Sequence, residues 1–566
     1  MSEARARNSQ FFDRDLLLLF AVVLGVLALF VNKAFTIDDP LFLWLAEHLQ
    51  SRPLDFYDFD VNWGGTVRPM HEVTMNPPLV GYYIAGVAAL VGWNEVPLHL
   101  AFLLPAAGAV AGTYWLARRL SDRPLEAGLA ALLSPVFLVS SSNLMCDTTM
   151  LALWCAAIAS WIHGFDTGSQ RWRTAAGVFA GIAFLAKYFA IALVPLLLAY
   201  GALRERRVGS WLLPLAIPLA VVVGYDLITH SLYGHAMFLG AAVYPGTVIH
   251  TPDLPAQVLI GLAFAGGCTI AALCYAPLLW SWRTLAIAWG LFMVVMLAPG
   301  AVRWVFSLKV TLNENWSFIH EVQLFVLVFA GVGVIGLAVA DYKRHRTPDS
   351  ALLALWVLGT WVFATFLNWS NNGRSNLVLA PAVGILIVRR LASQRESGSQ
   401  PGRIARHVAL AAAAAVALGA VWSDFRWAND VREAANVLAR KHAHAGRITY
   451  ANADWGMQYY LEAGGVRTLD LDRDYLLRGD ILILSSNNTN PRRIAAEDAR
   501  LIDSRSHPEP VWGMTHSLAV GAGFYSSIIG PIPYAFGPAP PDRYDVWRVK
   551  RRFRLDPTDL AKDSSP

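Results

Sequence analysis

About thirteen mainly apolar runs, most of them near the roughly 20 residues that an α-helix needs to cross a hydrocarbon core, follow one another along this chain. A backbone inside lipid must satisfy its own hydrogen bonds, so runs of this kind fold as helices. They lie near 15–33, 97–117, 125–143, 147–163, 175–187, 188–203, 211–229, 256–279, 284–301, 321–340, 350–368, 376–390 and 404–422. The expected fold is a polytopic α-helical membrane protein. Composition agrees: hydrophobic residues make up 55% of the 566 and charged residues 15%, with a mean hydropathy of +0.42. Soluble domains carry about 25% charged residues. The net charge of +5 is small for this length and is spread over short loops, which suits topology control and not a nucleic-acid surface. Nucleic acid is therefore not expected as a partner.

Cys146, Cys155, Cys268 and Cys274 fall in or beside apolar runs without C-x-x-C spacing, and read as core filler. The first run follows Arg5, Arg7 and Arg14 and has no small-residue cleavage site after it. It reads as a retained anchor with a cytoplasmic amino terminus. Basic clusters then recur at Arg118-Arg119 with Arg123, Arg171 with Arg173, Arg204 with Arg206-Arg207, Arg283, Lys343-Arg344 with Arg346, and Arg389-Arg390 through Arg406. All fall on the cytoplasmic side if the apolar stretch Pro78 to Trp93 does not cross, which makes that stretch a juxtamembrane or re-entrant helix.

The opposite face then receives a first outer loop over 34–96, Asn143 to Asp147, the turn at Lys187, the Tyr225–His250 loop, Arg303 to His320, Asn371 to Asn376, and everything after Trp422. Residues 1–423 thus form a transmembrane module and 424–566 a small α/β domain outside the membrane. Strands are expected at Arg447 to Ala451, Val466 to Leu471, Asp480 to Ser485 and Tyr544 to Val549, and helices at Val431 to His442 and Ile494 to Arg500. Pro531 to Pro541 reads as a proline-punctuated loop. The tail has no Gly-rich phosphate loop and is assigned no catalysis.

Within the first outer loop, Asp38 and Asp39 sit together at a membrane edge, where a carboxylate is expensive and defaults to a functional reading. Asp39, directly before Pro40, also reads as a helix N-cap with proline at the first helical position. Asp38 has no such structural role. The loop closes with Met75-Asn76-Pro77-Pro78-Leu79, and Tyr82-Tyr83 follow.

Taken in order, these segments resemble the glycosyltransferase-C superfamily, in particular its branch of protein O-mannosyltransferases and lipid A aminoarabinose transferases, of the glycosyltransferase family 39 kind. Asp38-Asp39 is similar to the family's Asp-Glu pair, and Asn76-Pro77-Pro78-Leu79 with Tyr82-Tyr83 to its His/Lys-Pro-Pro-Leu-Tyr-Tyr segment. Ala117-Arg118-Arg119-Leu120 is similar to a cytoplasmic Ala-Arg-Arg-Leu, and Asn143 to Leu151 to a segment carrying an outward Asp, here Asp147. Leu185-Ala186-Lys187 stands where the family has Leu-Thr-Lys-Gly, and Arg374 to Pro381 resembles its Arg-Tyr-Leu-Leu-Pro turn. Asn76 replaces a basic residue, Asp39 is a methylene shorter than Glu, Tyr188 replaces Gly, and Ser375-Asn376 changes the Arg-Tyr context. These departures bear on donor identity more than on reaction class.

The resemblance implies an enzyme of the cell envelope, in the inner or plasma membrane with its site facing the periplasm or exterior. It would move a hexose or pentose from a polyprenyl-phosphate donor to a lipid, glycan or protein acceptor, usually with inversion. Such chemistry needs a carboxylate for the acceptor hydroxyl and cations for the leaving phosphate. Asp38 is the candidate base with Asp39 as helper or cap, and Lys187 and Arg374 are the candidate phosphate-binding cations. Asp147, Asn76, Tyr82, Tyr83, His71 and Glu72 are candidate substrate contacts, with Arg303 and His320 weaker. Lys187 also reads as a snorkelling anchor, Asp147 as a helix cap, and Arg374 as a solvated loop residue. No metal site or other cofactor is assigned, although the paired carboxylates could hold a divalent cation. A multi-span transporter and a non-catalytic glycan- or lipid-binding subunit are the competing classes. Transporters commonly carry a second, related copy of a broken-helix segment, and no second Asp-Asp or Pro-Pro segment occurs here.

A topology reporter fused after Arg426 is expected to lie on the same side as the Asp38 loop. A cytoplasmic reading would invert the topology and scatter the candidate residues over both faces.

Overall fold

A computed structural model describes residues 13–248, 254–297, 316–396, 401–446, 448–452, 455–488, 494–506 and 511–555. Helices occupy each of the expected spanning segments. Seven described helices are long and apolar enough to cross a membrane: Glu95–Leu120, Asp147–Asp166, Tyr188–Glu205, Ser210–Tyr233, Phe318–His345, Pro348–Leu367 and Arg403–His442. Pro124–Leu132 with Pro135–Ser141 makes an eighth if counted as one span bent by 64°. The bend falls where Pro135 disfavours a helical Ser134 before it. The chain is an integral membrane protein.

At the other expected spans the helices are shorter, interrupted or, in Leu379–Glu396, more charged. Arg14–Ala28 opens on Asp13, whose carboxylate accepts from the Leu16 N–H at 3.0 Å, and it stops short of residue 33. The 256–279 segment divides into Leu254–Cys268, Ala271–Cys274 and Ala276–Leu279. Leu79–Val91 has 13 residues, or about 20 Å of helix, and is too short to cross. The expected Tyr225–His250 loop is instead helical up to Tyr233 and again over Met237–Val248, and residues 249–250 lie outside the described residues. Ser210–Tyr233 carries Tyr225, and Asp226 accepts from the Phe238 N–H at 2.7 Å, supporting the start of a Met237–Val248 helix.

The basic clusters gather at one end of the helical body. Arg119 pairs with Asp166 and Asp349, Arg204 with Asp166, Arg389 with Asp341, and Arg406 with Glu126. At the opposite end the tail packs on the first loop. Phe35 N–H donates to the Tyr460 hydroxyl, Ala34 N–H to the Asn429 amide oxygen, and Leu471 N–H to the Gly65 carbonyl. Gly456 permits this approach: a Cβ there would stand 2.2 Å from the Phe35 carbonyl oxygen.

The tail holds a five-stranded mixed sheet in the order Arg467–Thr468, Thr449–Asn452, Ile481–Ser485, Arg543–Val549, Ala499–Ser506. The first three strands are parallel and the last two pairings antiparallel. Three expectations change here. Ile494 to Arg500 is not a helix, because Ala499 and Arg500 begin the edge strand paired with Arg543–Val549. Pro531–Pro541 is not all loop, since Ala535–Ala539 pairs with Val511–Met514. Val431 to His442 is the end of a 40-residue helix, Arg403–His442, that passes through the position between 423 and 424 without a break.

His516 packs in the tail between the Trp427 ring, stacked at 4.8 Å, and the edge of Trp455 at 4.6 Å. Neither ring nitrogen has a hydrogen-bond partner among the described residues. Burial pushes the imidazole down to about 3 from its usual 6.5. The unfolded chain therefore binds a proton between pH 6.5 and 3 that the folded chain does not. This term favours the folded state fully above pH 6.5 and is lost, at up to about 1.4 kcal/mol per pH unit, as pH falls below it. His516→Phe is expected to flatten the loss of thermal stability between pH 6.5 and 4 in detergent. An unchanged slope would assign acid sensitivity to other groups.

Candidate active site

The segment between the first helix and Pro40 is held from three sides. Ile37 takes a φ of 52°, a strained value for a β-branched residue and one that tends to occur at functional sites. It is followed by Asp38 at the N-cap and Asp39 as the first residue of the Asp39–Ser51 helix. Asp39 is thus not the N-cap. Its side chain reaches back to accept from the Thr36 N–H at 3.0 Å, while its other oxygen accepts from the Leu144 N–H at 2.9 Å. Asp39 has no solvent exposure. Burial pushes its carboxyl up to about 7, against the pull of Lys33 and both backbone donors.

Asp38 keeps a quarter of its side chain exposed and meets Arg374 at 2.6 Å. Arg374 comes from a short helix, Gly373–Asn376, whose N-cap Asn372 accepts from the Ser375 N–H at 2.7 Å. That turn is held by the tail: Gly373 N–H donates to the Phe524 carbonyl, and a Cβ on Gly373 would meet the Phe524 ring at 2.5 Å. The guanidinium lies 5.9 Å from the centre of the Tyr525 ring. Burial alone would weaken its hold on a proton, but Asp38 and Asp147 more than reverse this and hold it firmly charged.

Lys187 stands in extended backbone between Gln170–Ala186 and the 3₁₀ turn Tyr188–Ala192. Its ammonium pairs with Asp147 at 2.5 Å. Both are buried, so the snorkelling reading of Lys187 does not hold. Asp147 begins the Asp147–Asp166 helix after Cys146, and its second oxygen has no hydrogen-bond partner among the described residues. Arg374 Nε, Asn371 Nδ2 and Asn376 Oδ1 are likewise buried without partners. Native proteins leave few such atoms, and each calls for an explanation.

Asp38, Asp39, Asp147, Lys187 and Arg374 therefore come together. The other candidates lie elsewhere. Tyr57 O–H donates to the Asn76 carbonyl at 2.5 Å, Tyr82 O–H to the Pro53 carbonyl, and Tyr83 O–H to the Ala101 carbonyl at 2.6 Å. His71 stacks on Tyr233 at 4.9 Å, next to Glu72. None of Asn76, Tyr82, Tyr83, His71 and Glu72 makes a described hydrogen bond or ion pair with the five-residue cluster. His320 forms the capping box of the Phe318–His345 helix, and Arg303 lies outside the described residues. Among the described residues no group of three or more His, Cys, Asp or Glu side chains could hold a metal ion.

Sequence reasoning missed the polar network beneath this cluster. Lys33, at the exit of the first helix, pairs with Asp424 and Asn143. Tyr525 O–H lies 2.9 Å from Asp424, the Asn143 amide donates to that hydroxyl at 3.1 Å, and Thr515 donates to Asp424 at 2.6 Å. The tail, expected to take no part, thus supplies Phe524 and Tyr525 to the wall of the site. The available signal was a pair of isolated charges, Lys33 and Asp424, each just after an apolar run.

Residues 75–233 match the family model described as dolichyl-phosphate-mannose-protein mannosyltransferase. That part of the chain is similar to the family, and the match covers less than half of the 566 residues. That segment contributes Asp147 and Lys187. Similar solved structures include the apo oligosaccharyltransferase of Archaeoglobus fulgidus, at 13% identity and a TM-score of 0.44, covering 80% of this chain and 64% of that one. ArnT from Cupriavidus metallidurans bound to undecaprenyl phosphate aligns at 16% and 0.41, covering 83% and 93%. The arabinosyltransferase EmbB from Mycobacterium smegmatis aligns at 16% and 0.34, covering 90% and 47%. A comparison with curated proteins returns no match.

Asn at position 39 could accept only one of the two backbone N–H groups and would turn a donor toward the other. Asp39→Asn is expected to cost about 1–3 kcal/mol of stability. Asp38→Asn, at a partly exposed position, is expected to cost less. Thermal unfolding of both in detergent checks the ranking, and equal losses would refute it.

Proposed function

We propose that the chain is a membrane glycosyltransferase that moves a sugar from a polyprenyl-phosphate-linked donor to an acceptor hydroxyl on the outer face of the membrane, with inversion. The observation that carries this reading is the meeting of two cation–carboxylate pairs, the partly exposed Arg374 with Asp38 and the buried Lys187 with Asp147, beside buried polar atoms that have no hydrogen-bond partner among the described residues. The family match over 75–233, which contains one of the two pairs, supports it. ArnT, a similar structure, is bound to undecaprenyl phosphate, in keeping with a lipid donor.

In the proposed reaction the acceptor oxygen attacks the anomeric carbon from the side opposite the phosphate. Its proton passes to Asp38, the most exposed carboxylate of the cluster. The bond between the anomeric carbon and the phosphate oxygen breaks, and the electron pair leaves on that oxygen. Arg374 uses Nη1 on Asp38 and has N–H groups left for a phosphate, including the unpartnered Nε. Lys187, fixed by Asp147, supplies a second positive charge at low dielectric, where it acts most strongly on a developing anion. Asp39 holds the loop and positions Asp38. Asn76, Tyr82, Tyr83, His71 and Glu72 are assigned to the shaping of the first outer loop, and 1–423 to the membrane module that the 424–566 domain completes.

Purified protein in nanodiscs, supplied with polyprenyl-phosphate sugars and an extract of envelope acceptors, is expected to form a glycosylated product. Asp38→Asn should lower turnover by about 10²–10⁴-fold with little loss of stability. Full activity of Asp38→Asn would remove the base assignment.

Lys187→Met is expected to raise the donor concentration needed for half-maximal rate more than it changes the acceptor requirement. An unchanged donor titration with wild-type turnover would return Lys187 to a structural role.

A further inference from the structure

Two cavities lie side by side where the first loop meets the tail, away from the carboxylate pair. One, of about 370 Å³, is lined by Trp44 and Glu47 of the Asp39–Ser51 helix, Phe59 and Asn62 beside and within the Asp60–Pro69 hairpin, and Gln458 and Glu462 of the Trp455–Ala463 helix. The other, of about 460 Å³, shares Asn62 and Glu462 and extends to Arg467 and Arg473. Together they form one groove with a common wall.

The wall has two kinds of surface. Trp44 stands edge to face with Trp63 at 6.4 Å, and Phe59 stacks on His48 at 4.7 Å, so the aromatic side is rigid. Opposite it, Gln458 is 2% exposed and its amide donates to the Asn62 carbonyl at 2.9 Å and to Glu462 at 3.1 Å. Asn62 Nδ2 donates to the Leu469 carbonyl, while its Oδ1 is buried with no hydrogen-bond partner among the described residues. Burial holds the Glu47 and Glu462 carboxyls above the usual range.

These features narrow the ligand. No Lys or Arg lines the first cavity, and in the second Arg467 is paired with Asp474 and Arg473 with Asp470, which disfavours an anion. Among the described residues its His and carboxylate side chains form no group that could hold a metal ion. Rigid aromatic faces opposite desolvated acceptors suit a ring with an apolar C–H face and hydroxyl donors at its edge, and the size is that of an ordinary small-ligand site. Glu47 lies two turns along the helix from Asp39, about 12 Å, a separation a short run of sugar rings can span.

We infer that this groove binds a neutral saccharide chain, and, resting on the proposed function, that it is an acceptor subsite that holds a glycan while its end reaches Asp38. Saturation-transfer NMR on the full chain in nanodiscs, with a panel of neutral trisaccharides of glucose, mannose, galactose, arabinose and N-acetylglucosamine, tests the binding directly. At least one is expected to bind with a millimolar Kd and to lose about tenfold in affinity in Trp44→Ala and in Glu47→Gln, the latter being a near-isosteric change that keeps the fold. Lys187→Met should bind as the parent does. Absence of binding across the panel, or affinities unmoved by both groove variants, would overturn the subsite. Binding without any sugar transfer would leave the saccharide groove standing and remove the proposed function; transfer without binding would do the reverse.

Discussion

A lysine ammonium without solvent contact survives in a protein only where a carboxylate and further acceptors surround it, and Lys33 is such a group. Both it and Asp424 are fully buried. The effective desolvation penalty is several kcal/mol per ion, and losing one partner of such a pair costs about 3–5 kcal/mol because the other is left uncompensated. The pair joins the exit of the first helix to the middle of the Arg403–His442 helix, and Asn143, Thr515 and Tyr525 close the shell around it. The site is built on this knot. The turn that starts at Asn143 presents the Leu144 N–H to Asp39, and Tyr525 lies beside Arg374.

This arrangement explains which parts of the site were legible. Asp38, Asp147, Lys187 and Arg374 are polar residues at the ends of apolar runs, where hydropathy alone draws attention to them. Lys33 and Asp424 have the same character, but they explain each other only across 391 residues of sequence. Asp39 could be read as a cap because local rules reward Asp before Pro. The competing partner, the Leu144 N–H, is 105 residues away. The edge strand Ala499–Ser506 was hidden for a similar reason: a charged, helix-prone segment was drawn into a sheet by its pairing with Arg543–Val549.

The cluster also shows how charge is stored at low dielectric. Each cation that would meet a phosphate is already seated against a carboxylate, so neither side chain is left as an isolated buried charge. A phosphate that arrives adds its own negative charge to groups fixed in place. Little side-chain ordering then remains to be done, which is the condition under which electrostatic stabilisation acts at full strength.

The unbroken Arg403–His442 helix has a mechanical consequence. At 1.5 Å per residue its 40 residues measure about 60 Å, twice the thickness of a hydrocarbon core. It continues into the tail without a break, where His442 meets Asp503 and Glu433 meets Arg505 of the edge strand. A tail carried on continuous helix cannot turn about this connection without breaking backbone hydrogen bonds in that helix.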